Sequence, residues 1–193
     1  MRDASFTAIE TTRLRLRRFA PADIAAFHTY RADDDVARFQ SWQHYTIEQA
    51  ERFVEEMAHH HPGVPGEPFQ FAVARRENDE LVGDCMLALD AGATPSAEIG
   101  YTVAPEHRGR GYAIEAGHAV LDYAFVHHGV PAIRAVTDTR NAASIAIAER
   151  LGMHLVGTVQ ATFKHEPCEE HTYEITRAGW ELRRAEGARA AKR

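Results

Sequence analysis

The chain has 193 residues, 45% hydrophobic and 26% charged, with a formal net charge of −6. This is the composition of an ordinary globular protein with room for one domain. No apolar run is long enough to span a bilayer, two cysteines are too few for a disulfide framework, and the acidic balance argues against general nucleic-acid binding. The same balance suits a cationic substrate such as an amine. The opening stretch MRDASFTAIETTRLRLRRF is basic but has no apolar segment behind it. It does not read as a secretory signal, and the cytoplasm is the expected compartment.

Thr12 to Phe19 alternates, with Leu14, Leu16 and Phe19 among arginines, and predicts a strand with one buried face. Pro21 to Tyr30 predicts a helix, with Pro21 in a permitted first-turn position and Ile24 and Phe27 at helical spacing. Thr46 to His60 predicts a second helix: Thr46 and Gln49 can form a capping box, and Ala50, Phe53, Val54 and Met57 make its apolar stripe. Pro62, Pro65 and Pro68 mark a loop.

Phe69 to Ala74 and Leu81 to Leu89 predict a hairpin about Asn78 and Asp79. A further strand is expected over Ala97 to Val103, and a helix from Gly111 to His127 that stops at Gly129 with Pro131 beyond. Ala132 to Thr137 reads as a strand. Asn141 to Leu151 reads as a helix ended by Gly152, with strands over His154 to Phe163 and His171 to Ile175. From Glu181 the tail is either a short terminal helix or frayed. The order β-α-α-β-β-β-α-β-α-β-β predicts one α/β domain, mostly antiparallel, with a parallel crossover around Gly111.

Chemistry concentrates where a strand meets a helix, in Glu98–Ala119, EIGYTVAPEHRGRGYAIEAGHA. Arg108, Gly109, Arg110 and Gly111 form a turn at a helix N-terminus, where free N–H groups and the helix dipole favour anionic phosphate. The third glycine of a Rossmann fingerprint is replaced by Ile114, and no Gly-Lys-Ser/Thr follows, so neither common nucleotide loop is present.

This segment resembles the acyl-CoA-binding motif of the GNAT superfamily of N-acetyltransferases, whose Gln/Arg-x-x-Gly-x-Gly/Ala pattern is filled by Arg108, Gly111 and Ala113. The longer run EIGYTVAPEHRGRGYAIEA resembles the branch of ribosomal-protein N-terminal acetyltransferases of the RimJ/RimL type. Asn141-x-x-Ser144 followed by Leu151-Gly152-Met153, the early LRLRRF strand and the strand through Leu81-Val82-Gly83 resemble further blocks of the family. The resemblance covers roughly Thr12 to Trp180, with 181–193 as a tail of the single domain.

The resemblance implies the GNAT fold: a mixed, mostly antiparallel sheet flanked by helices, with splayed parallel strands forming the acyl-CoA site. The CoA pyrophosphate would rest on the N–H groups of Arg108, Gly109, Arg110, Gly111, Tyr112 and Ala113. The pantetheine would lie as a pseudo-strand beside Tyr101, Thr102 and Val103. Glu98 would act as base toward the acceptor amine; read from the residues alone, it is equally a solvated strand glutamate. Asn141 would contact the pantetheine, and Ser144 would lie near the departing sulfur, although Asn141 is also a good helix N-cap. Many relatives place a tyrosine one turn after this serine to protonate the thiolate; here that position is Ala148, which leaves Ser144 or water.

Phe39, Trp42, His44 and Tyr45 would wall the acceptor pocket, or else pack the core between the first two helices. His59, His60 and His61 point in different directions along a helix and complete no metal-ligand set, so no metal is expected. His127 and His128 read as a pair at a helix C-terminus, Cys85 as a core residue and Cys168 as a loop thiol. The expected activity is acetyl transfer from acetyl-CoA to a primary amine, either a protein N-terminus or a small molecule such as an antibiotic, polyamine or amino-acid-like metabolite. A non-catalytic acyl-CoA-binding module and a nucleotide-binding module are the rivals. Relatives of this type often form homodimers.

Overall fold

The computed structural model describes residues 3–92 and 96–190. Eight strands form one sheet in the order β1-β2-β3-β4-β5-β6-β8-β7. They are β1 (Ala8–Glu10), β2 (Leu14–Arg17), β3 (Phe69–Arg75), β4 (Leu81–Leu89), β5 (Ala97–Val103), β6 (Ala132–Asp138), β7 (His154–Phe163) and β8 (Glu166–Thr176). Every neighbouring pair is antiparallel except β5 and β6. The helices are α1 (Ile24–Arg31), α2 (Asp34–Ala37), α3 (Ile47–His59), α4 (Tyr112–Tyr123), α5 (Ala142–Arg150) and α6 (Arg177–Ala190). Among the described residues, no helix is long and apolar enough to cross a membrane.

Alternation along the central strands sorts side chains onto two faces. One face carries Phe69, Phe71, Cys85, Leu87, Ile99 and Ile133 against Val120, Leu121, Phe125 and Leu151. The other carries Ala72 and Leu81 against Phe19, Phe27, Tyr30, Val54 and Met57. Each large apolar side chain so buried contributes roughly 1.5–3 kcal/mol. The α3 capping box forms as the sequence predicts: the Gln49 N–H donates to Thr46 Oγ1 (3.3 Å), and the Thr46 N–H donates to Gln49 Oε1 (2.7 Å).

Several boundaries differ from the sequence-based expectation. The first expected strand is reduced to Leu14–Arg17, because Phe19 leaves the sheet to pack edge-on against Phe27 at 4.9 Å. Strand β1 and helix α2, of three and four residues, are too short to show a period. Helix α4 ends at Tyr123 and passes into a π turn over Ala124–His128, which closes at Gly129 with φ +66°. Strand β8 begins at Glu166 rather than His171, because β7 supplies backbone partners along its polar half. Cys168 therefore lies buried within a strand, not in a loop, whereas Cys85 is a fully buried core residue. The tail is helical as far as Ala190, and 191–193 lie outside the described residues.

Candidate active site

Strand β5 ends at Val103, and a short 3-10 turn over Pro105–His107 leads into the arginine–glycine turn. The His107 and Arg108 N–H groups are spent on the carbonyls of Ala104 and Pro105. Among the described residues, no acceptor takes the N–H groups of Gly109, Arg110, Gly111, Tyr112 or Ala113. Gly109 (φ +73°) and Gly111 (φ +79°) occupy the left-handed region, where a side chain would be strained. The backbone thereby opens a run of donors at the positive end of α4, a cradle suited to a pyrophosphate.

The cradle is held from outside. Arg13 Nη1 donates to the Arg110 carbonyl (2.9 Å), and Arg13 Nε pairs with Glu115 Oε2 (2.7 Å). The Thr11 hydroxyl and the Arg13 N–H both donate to Glu115 Oε1, at 2.6 and 2.8 Å. Arg13 belongs to no motif, and Glu115, although it falls at the end of the run that resembles the RimJ/RimL-type branch, has no role implied by that resemblance. An arginine beside an apolar strand and a glutamate in a first helical turn carry no sequence signal of this pairing.

Strands β5 and β6 pair only at Ala97–Ile133 and Glu98–Arg134. Beyond Glu98 they part: β5 stays paired with β4 as far as Val103, and β6 stays paired with β8 as far as Asp138. The edge of β5 through Tyr101, Thr102 and Val103 is thus left without a strand on the β6 side, and its backbone can pair with an extended arm.

Glu98 stands where the strands part. It is solvent-exposed, yet protein crowds its carboxyl, and desolvation, followed by the charges of Asp90 and Glu170, pushes its pKa above the usual glutamate range. Neighbouring Arg134 is committed to Glu174 (2.8 Å), so Glu98 keeps its lone pairs for another partner.

Across the opening, Asn141 caps α5, its Oδ1 accepting the Ser144 N–H at 3.1 Å. Tyr101 reaches from β5 to this helix start: its hydroxyl donates to the Ser144 carbonyl (2.9 Å), and the Ser144 hydroxyl lies 3.4 Å from it. Burial pushes the Tyr101 phenol up to about 12. Ala148 is buried.

The aromatic set is only partly assembled. Trp42 lies 3.9 Å from the Arg31 guanidinium and donates its indole N–H to the Arg31 carbonyl (2.9 Å). Tyr45 packs edge-on against Trp42. Phe39 is half-buried with the Arg38 guanidinium 5.1 Å from its ring, and His44 is exposed with φ +51°. Among the described residues, no hydrogen bond or ring contact joins Phe39, Trp42 or His44 to Glu98 or Tyr101.

Sequence reasoning missed the cluster beneath this wall. Asp84 is buried on the sheet face shared with Thr102 and Glu98. It accepts from Tyr30, Arg31 (3.1 Å) and Gln70. The available signal was an aspartate inside the otherwise apolar run LVGDCMLAL. Among the described residues, no cluster of histidine, cysteine and carboxylate side chains is arranged to hold a metal.

The sequence profile of the family described as "Acetyltransferase (GNAT) domain" matches residues 13–154. The chain is 29% identical over 175 residues to the "Uncharacterized N-acetyltransferase YoaA" of Bacillus subtilis, spanning 89% of this chain and 98% of that one. Its fold is similar to spermidine N-acetyltransferase from Vibrio cholerae, solved with CoA and spermine (TM-score 0.74, 20% identity, 88% of this chain and 99% of that chain). It is equally similar to RimL, a ribosomal L7/L12 α-N-protein acetyltransferase solved with coenzyme A (TM-score 0.74, 17% identity, 88% and 97%).

Proposed function

This chain belongs to the GNAT acetyltransferase family, and on that premise we propose that it moves the acetyl group of acetyl-CoA to a primary amine by direct attack in a ternary complex. The observation that carries the reading is the coincidence of the open N–H cradle at Gly109–Ala113 with the parting of β5 and β6. An acyl-CoA needs both, one for its pyrophosphate and one for its extended arm. When bound, it supplies the activated acyl group; the chain supplies position and proton handling.

In this reading Arg108, Gly109, Arg110, Gly111, Tyr112 and Ala113 hold the pyrophosphate. Tyr101, Thr102, Val103 and Asn141 hold the arm. Free amines carry a proton at neutral pH, with pKa about 8 for an α-amine and about 10.4 for a lysine-type amine. Glu98 takes that proton, directly or through water, and its raised pKa brings it nearer the working pH. Ser144 sits on the sulfur side, and Phe39, Trp42 and His44 bound the acceptor. The protein works as a single domain over 1–193 in the cytoplasm, and the resemblance favours a homodimer.

Two acceptors fit. A protein N-terminal amine is supported by the RimJ/RimL-type run around the turn. A small amine is supported by the carboxylates of Asp90 and Glu170 near Glu98, whose field favours a cation. Thiol release from acetyl-CoA against N-terminal peptides, polyamines, aminoglycosides and amino acids separates the two. Calorimetric titration of CoA beside it tests the reading itself: tight binding with no turnover on any amine leaves an acyl-CoA-binding module, and no binding overturns the assignment of the cradle.

A further inference from the structure

We propose that the Tyr101 hydroxyl is the hydrogen-bond donor to the departing sulfur of the acyl thioester. The inference rests on the acyl-CoA reading of the opening between β5 and β6, and it concerns a step which that reading leaves without a strong donor. Helix α5 begins Ala142-Ala143-Ser144-Ile145-Ala146-Ile147-Ala148. Over this run Ser144 is the one side chain with a donor, an aliphatic hydroxyl. Tyr101 comes from the other side of the opening and places a phenol at the same point, 2.9 Å from the Ser144 carbonyl and 3.4 Å from its hydroxyl. The phenol so bridges β5 to the start of α5 beside the opening.

Its acidity decides what it can do there. An alkyl thiol of cysteine type ionises near ~8.5, and burial pushes the Tyr101 phenol up to about 12. The phenol is thus the weaker acid of the two, and full transfer of its proton to a thiolate is uphill. Tyr101 therefore keeps its proton and stabilises the developing charge as an oriented dipole. The nitrogen–carbon bond forms and the carbon–sulfur bond breaks. The bonding pair leaves on sulfur, hydrogen-bonded to the Tyr101 O–H; Glu98, having passed the ammonium proton on to solvent, takes the second proton that nitrogen sheds as the amide forms. Releasing the Ser144 carbonyl costs little, because that carbonyl lies inside α5, where the helix supplies its own donor.

The test needs no acceptor. The ionisation of the thiol of enzyme-bound CoA is followed by ultraviolet absorbance against pH in the wild type and in Tyr101→Phe, which keeps the ring and loses the hydroxyl. Calorimetric CoA affinity and melting temperature are measured on the same samples. A hydrogen bond to a charged group is worth enough for at least a ten-fold effect. The thiol of bound CoA should therefore be at least ten-fold less acidic in Tyr101→Phe. Equal thiol acidity in the two proteins overturns the proposal. So does a loss of CoA affinity or melting temperature with unchanged thiol acidity, which marks a purely structural hydroxyl. Failure of the underlying reading is distinct: the wild type itself would bind no CoA.

Discussion

Arg13 and Glu115 lie 102 residues apart in the chain and 2.7 Å apart in space. Their pairing ties the start of β2 to the first turn of α4. The same guanidinium holds the Arg110 carbonyl and stands 4.9 Å from the Tyr112 ring. The donors of the cradle are backbone groups, so their aim depends on the side chains that hold the turn from outside. Arg13→Ala should weaken CoA binding about three- to ten-fold in calorimetry while costing less than about 1 kcal/mol of stability, as suits a half-exposed pair. Glu115→Gln should act through the same contact, so the double variant should be less than additive.

Glu98→Gln should lower kcat by about 10²–10⁴-fold with CoA affinity unchanged, the range for a lost general base. Stability should move the other way. The folded pKa of Glu98 lies above its unfolded value, so the folded state binds the proton more readily and its charged form opposes folding as pH rises through that interval. The glutamine variant should then melt higher than wild type at neutral pH and match it below the unfolded pKa near 4.5. An unchanged kcat would remove Glu98 from the reaction.

Gly83 faces the β5 backbone so closely that a Cβ would lie 2.1 Å from the Thr102 carbonyl oxygen. That atom cannot rotate away as a side chain can. Gly83→Ala should cost about 1–3 kcal/mol in urea unfolding. It should also weaken CoA binding, because Thr102 and Val103 must shift to admit the methyl group.

Asp84→Ala should be among the most damaging single changes. The carboxylate side chain is fully buried, and Arg31 beside it is 7% exposed. Removing the acid leaves a buried cation unpaired, with the Tyr30 hydroxyl also stripped of its acceptor. A loss of about 3–5 kcal/mol is expected, and denaturant melts read it directly.

His128 packs against the Tyr123 ring (5.1 Å), and neither of its buried ring nitrogens has a hydrogen-bond partner. Burial pushes its pKa below the ordinary histidine value of 6.5. The unfolded chain then takes up a proton that the folded one resists. Stability should be full above pH 6.5 and fall as pH drops through the interval below it. His128→Leu should flatten that acid limb in melting curves, and an unaltered limb would assign it to other groups.

Features set by near neighbours in the chain were legible in the sequence. The arginine–glycine turn, the left-handed glycines within it, the Thr46 capping box and the Asn141 cap all depend on the φ preference or short side-chain reach of a few consecutive residues. Alternation and helical period likewise located most strands and helices, failing at β1 and α2, which are too short to show a period. The glycine pattern pointed to a phosphate-holding turn for the same local reason, and its resemblance to the family motif implied acyl-CoA.

What the tertiary structure decided was which distant segments meet. The family resemblance implied an opening between β5 and β6, but its place is set by pairing: β5 stays with β4 and β6 with β8 after two shared positions. Tyr101 becomes a candidate donor only because α5 folds back over β5. Asp84 becomes a buried hub only because α1 and β3 bring Tyr30, Arg31 and Gln70 to it. Arg13 guards the cradle only across a hundred residues of chain. Such contacts are fixed by strand order and register, which follow from the packing of the whole core rather than from any window of residues.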